Sequence, residues 1–144
     1  WHTVSVPAGT KHTRISLFDD STDGADDLDL YVYDSNFDFL GGSASATSAE
    51  EVDIESPTDS MYNVAVHGWQ TDGPDASYTL FDWSVPMGTV DNMTADAPTT
   101  ATAGGSGTVT VGYDGLEEGE KYLGVITHSG KEALQSTVVS ISTE

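Results

Sequence analysis

Three observations predict an all-β protein founded on an antiparallel, jelly-roll-like β-sandwich. Apolar residues recur at every second position, turn residues interrupt them at short intervals, and no helical stripe of comparable length exists. Val4 and Val6 open the series before the turn Pro7-Ala8-Gly9, and Ile15 and Leu17 continue it. Asp23-Gly24 precedes the strand of Leu28, Leu30 and Val32, whose polar neighbours point the other way. Gly41-Gly42 reads as the next turn, followed by Val52 and Ile54, the turn Pro57-Thr58-Asp59, and then Tyr62, Val64 and Val66. After Asp72-Gly73-Pro74, the run Tyr78 to Val85 shifts its apolar phase between Leu80 and Phe81. That shift predicts a bulge or bend where the bulky residues change face. Trp83, between Phe81 and Val85, reads as core or as the seam between subdomains, so the first unit is expected to span residues 1–86.

Beyond Pro86 the composition changes. Thr94 to Thr108 is almost all small and polar, and three apolar runs come after it, Val109–Tyr113, Tyr122–Ile126 and Thr137–Ile141, with turns at Asp114-Gly115 and Ser129-Gly130. Residues 87–144 are therefore expected to form a small β subdomain of three to four strands, packed against the first unit because 58 residues lie near the lower limit for independent folding. Charge is divided unevenly. Residues 1–86 carry 16 acids and two bases, net −14, whereas residues 87–144 carry eight acids and two bases, net −6.

The total of −20 would repel phosphate backbones and anionic lipid surfaces, so nucleic acid is not expected as a partner. It suits a salty or extracellular setting, where screening removes self-repulsion. No stretch approaches the roughly 20 apolar residues of a membrane-spanning helix. Cysteine is absent, so neither a disulfide framework nor a thiolate metal site is on offer, and the chain reads as a piece of something longer.

Eight acids and no base lie between Asp19 and Asp38. Calcium takes six to eight oxygen ligands in flexible geometry, and Asp19, Asp20, Asp23, Asp26 and Asp27 supply carboxylates within one loop. Asp29, on the strand face opposite Leu28 and Leu30, is either a further ligand or a turn-capping acceptor. The alternative role for the whole set is to cap turns through backbone N–H groups, since the spacing does not match an EF-hand loop. Trp69, beside the turn at Asp72, together with Tyr31 and Tyr33, offers a stacking platform for a sugar ring or a peptide side chain; the competing role of Trp69 is packing. Catalysis has little to rest on. His2, His12, His67 and His128 stand singly, without zinc-site spacing, and no Gly-x-Ser-x-Gly elbow occurs.

Val6-Pro7-Ala8-Gly9-Thr10, Asp27-Leu28-Asp29-Leu30-Tyr31-Val32-Tyr33-Asp34, Tyr62-Asn63-Val64-Ala65-Val66-His67-Gly68 and Tyr78-Thr79-Leu80 together carry a resemblance. Residues 1–86 resemble the bacterial pre-peptidase C-terminal domain, and the strands after Gly107 resemble the short tail found after it in secreted subtilisin-like serine proteases, with some fibronectin type III-like character. The resemblance implies a secreted, noncatalytic accessory module that assists export, folding or targeting of a parent protease whose catalytic domain lies outside this chain. Its expected partners are that catalytic domain and a proteinaceous or polysaccharide surface. The other reading is a calcium-stiffened adhesive or polymer-binding module of a different secreted or cell-surface protein.

Overall fold

The computed structural model describes residues 1–89, 92–130 and 134–143. The chain divides into two compact units, Trp1–Met87 and Gly88–Glu144. Among the described residues all regular structure is β apart from one 3₁₀ turn at Asp19–Ser21, and every strand pairing is antiparallel.

The first unit contains β1 (His2–Ser5), β2 (Thr10–Leu17), β3 (Asp27–Tyr33), β4 (Phe39–Ser43), β5 (Glu50–Glu55), β6 (Met61–Gln70) and β7 (Phe81–Pro86). One sheet runs β1-β6-β3-β4 and the other β5-β2-β7. Leu28, Leu30 and Val32 of β3 and Tyr62 and Val64 of β6 meet Ile15 and Leu17 of β2 and Val52 of β5 in one buried cluster. Four strands thus face three, and period-two alternation sends the intervening polar residues outward. Because the side chains of directly paired residues share a face, the Leu30↔Val66 and Val32↔Val64 register keeps the apolar set of β3 and β6 on the core side.

Two local differences from the sequence expectation have clear causes. Gly41-Gly42 is not a turn but the middle of β4, where Gly42 lies under the Tyr31 ring and a Cβ would come within 2.7 Å of it. At the end of the unit, Leu80 packs against the core, whereas Phe81 and Trp83 pair with Ser16 and Arg14 on the opposite face, so the bulk does change sides. The irregularity that this pairing shows falls at Thr10/His12, and Leu80 lies outside β7, just before its first paired residue Phe81. Trp83 stands outside the core cluster, its ring stacked on Phe81 at 5.8 Å with Phe18 edge-on to both.

Among its described residues the second unit holds two ribbons, β8 (Met93–Asp96) with β9 (Thr110–Tyr113), and β10 (Lys121–Ile126) with β11 (Thr137–Ser142). At Gly124 the thioether of Met93 occupies the space a Cβ would need. Among the described residues of this unit none is fully buried.

Candidate functional site

The acidic loop leaves β2 at Phe18, turns through Asp19–Ser21 and enters β3 at Asp27. Two clasps hold it against the segment 71–79. In the first, Asp23 donates its N–H to the Ser77 carbonyl at 3.0 Å and accepts the Ser77 N–H on Oδ1 at 2.7 Å. That N–H favours the ionised form and holds the Asp23 carboxyl below its usual range. In the second, Asp26 Oδ1 accepts the Asp72 N–H at 3.1 Å while Asp72 Oδ2 accepts the Ala25 N–H at 3.0 Å. At Gly24 a Cβ would sit 2.5 Å from the Asp72 carboxylate, so a larger residue would displace that side chain.

The six candidate calcium ligands therefore part company. Asp19 and Asp20 are exposed on the 3₁₀ turn, with Asp20 accepting the Ser21 hydroxyl. Asp23 caps the opposite segment. Asp26 is 6% exposed, its carbonyl accepts the Ser48 hydroxyl, and its Oδ2 is buried with no hydrogen-bond partner; Asp27 Oδ1 is buried and unpartnered in the same way. Asp29 lies on the outer face of β3, where its Oδ2 accepts the Tyr31 hydroxyl at 3.1 Å and contacts His67 Nδ1 at 3.2 Å. That bond raises the Tyr31 phenol above its ordinary value. Among the described residues no three His, Asp or Glu side chains converge as a metal-holding group.

Tyr31, Tyr33 and Trp69 share this outer face, but they do not form one platform. Tyr31 is bonded to Asp29 and lies over Gly42. Trp69, 71% exposed, sits at the irregularity where β6 meets the start of β3, with His67 edge-on at 6.3 Å. Tyr33 is at the far end of β3, about 13 Å along the strand from Asp29. There it joins a cluster that the sequence did not disclose: Trp1 at 5.5 Å and Phe39 at 5.6 Å from Tyr33, and Phe37 at 5.7 Å from Trp1. The signal for it was the spacing Phe37-Asp38-Phe39 immediately after the strand.

The remaining charged contacts are structural in character. On the outer face of the other sheet, Asp53 accepts two bonds from Arg14, at 2.7 and 2.6 Å, and pairs with His12 at 2.8 Å; Arg14 also reaches Glu51. Burial pushes the Asp53 carboxyl up, yet the Arg14 and His12 bonds outweigh it and hold it low. Glu50, fully buried, accepts from the Ser43 hydroxyl and from Ser45 N–H at 2.5 Å, which closes the chain between β4 and β5.

Residues 1–68 match the model of the bacterial pre-peptidase C-terminal domain. The chain is also similar to Pyrolysin of Pyrococcus furiosus, at 30% identity over 146 residues. The similarity covers 96% of this chain and 10% of the relative, so the chain spans about a tenth of that protein's length. The Asp-Leu-Asp-Leu-Tyr strand, the early Pro7-Ala8-Gly9 turn and β6 as far as Gly68 lie inside the matched segment. Over residues 1–68 the chain is thus similar to the bacterial pre-peptidase C-terminal domain, and over nearly its whole length to the subtilisin-like protease Pyrolysin.

Proposed function

We propose that this chain is a noncatalytic C-terminal accessory module of a secreted subtilisin-like serine protease, assisting export, folding, or targeting to a substrate surface. The observation that carries this reading is that similarity to Pyrolysin runs through both units, well past the family match at residue 68. The side chains fit a supporting role. His12 and Asp53 form a pair, but the other ring nitrogen of His12 is buried without a partner, so no hydroxyl nucleophile is poised on it. The test is the upstream reading frame together with deletion of these 144 residues from the parent. Secreted yield or retention on insoluble protein should fall while kcat/KM on a small soluble peptide stays unchanged. An equal fall on the small peptide, or an upstream frame without a catalytic domain, would refute the assignment.

The second reading, a calcium-stiffened adhesive or polymer-binding module, is favoured by one observation, the two buried and unpartnered oxygens Asp26 Oδ2 and Asp27 Oδ1. Asp23 and Asp29 each engage a carboxylate oxygen with Ser77 or with Tyr31 and His67, and Asp26 engages its Oδ1 with Asp72. In this reading a bound calcium would give a partner to a buried carboxylate oxygen at the entry to β3. Titration calorimetry at fixed ionic strength should show saturable calcium binding that Asp27→Ala weakens; heat equal to a magnesium control removes this reading.

A further inference from the structure

The cluster of Trp1, Tyr33, Phe37 and Phe39 is large, exposed and organised without being core. Its rings contact one another, yet Trp1, Phe37 and Phe39 are 73%, 59% and 60% exposed, and none of the four belongs to the buried cluster. The loop that presents it is built with care. Phe37 has φ 67°, in the left-handed region that disfavours a bulky side chain. It is held there by Asp34, whose Oδ1 accepts both the Asn36 and Asp38 N–H groups at 2.8 Å. Asp59 anchors the same loop through the Ser35 N–H and hydroxyl. The loop that carries Phe37 thus also carries the acids Asp34 and Asp38 and is anchored by a third, Asp59. The bases of this unit, Lys11 and Arg14, belong to β2 in the other sheet and are engaged with Glu55 and with Asp53 and Glu51.

We propose that this aromatic cluster docks an extended polypeptide segment bearing lysine or arginine. Ring faces attract cations, and these carboxylates add a second attraction that a neutral sugar would not use. A second copy of the chain brings another −20 of like charge, and an anionic lipid surface is repelled for the same reason. β4, which carries Phe39, is an edge strand, so an extended chain can run beside it. The inference rests on the targeting role proposed above. Its test uses the 144-residue chain alone, so its failure is separable from failure of the protease assignment.

The experiment is a calorimetric titration with three probes: a peptide of alternating glycine and lysine, the same peptide with glutamine for lysine, and cellohexaose. The lysine peptide should bind saturably and less tightly as salt rises, and the glutamine peptide and cellohexaose should bind more weakly. Phe37→Asn removes a ring while installing a residue that tolerates the left-handed backbone, so the fold is not at risk. It and Phe39→Ser should each weaken the lysine peptide about threefold to fivefold with an unchanged melting midpoint. Equal binding by both variants would show diffuse attraction to the acidic surface and overturn the proposal. So would equal affinity for the glutamine peptide, preference for cellohexaose, or self-association through the rings.

Discussion

The two units spend their sequence differently. Trp1–Met87 buries ten apolar side chains in one cluster drawn from both of its sheets, whereas in the second unit no described residue is fully buried and its described strands form two ribbons. The unit with the core also carries net −14, against −6 for the other. Self-repulsion opposes compaction, so dense charge is tolerable where hydrophobic burial is largest. Isolated two-stranded ribbons are marginal in water, and the second unit correspondingly depends on lighter contacts such as Met93 on Gly124.

The largest test of this contrast is a matched pair of truncations. Ile15→Ala, at a fully buried position, should lower stability by about 2–5 kcal/mol. Val125→Ala, at a half-buried position in β10, should cost about 1 kcal/mol or less. Urea unfolding followed by near-ultraviolet circular dichroism measures both; equal costs would erase the distinction between the units.

Next in size is Glu50→Ala. It strips the buried acceptor from Ser43 and Ser45 and should destabilise the first unit by about 1–3 kcal/mol, read in the same unfolding experiment. A neutral result would mean that the loop between β4 and β5 relaxes freely around the loss.

The smallest expected effect is on acidification. Asp23, Asp53 and Asp59 have carboxyls held below their ordinary range, by the Ser77 N–H, by the Arg14 and His12 bonds against an opposing burial effect, and by the Ser35 N–H respectively. A depressed folded-state value means stability that is fully present above the unfolded value near about 3.9 and is lost as pH falls through the lower folded value. Melting of the first unit should therefore drop below about pH 4 when high salt screens the general self-repulsion. A midpoint that stays level or rises through that window would remove these carboxylates from the stability of the clasps and the sheet.

Much of the fold was legible because period-two alternation is local. Leu28, Leu30 and Val32 announced their strand, and Asp29, Tyr31 and Tyr33 its outer face. β4 was not legible, since Phe39-Leu40-Gly41-Gly42 lacks alternation and paired glycines imitate a turn; what places them in a strand is the Tyr31 ring lying over Gly42. β8 was equally silent, because Met93-Thr94-Ala95-Asp96 has little apolar content. The acidic loop showed its carboxylates but not their employment. Asp72 and Ser77 lie 46 to 54 positions from their partners Asp26 and Asp23, and only the folded chain introduces them. The aromatic cluster was hidden for the same reason, as Trp1 meets Tyr33 only once β1 and β3 flank β6.

The pairing of β7 with β2 extends beyond residue 68, where the family match stops, and so do the Asp72 and Ser77 clasps. The recognisable segment is therefore shorter than the smallest piece that can close on itself. A polypeptide ended at residue 68 would leave β2, the middle strand of its sheet, as a raw border with unused backbone donors and acceptors, inviting copies to zip together.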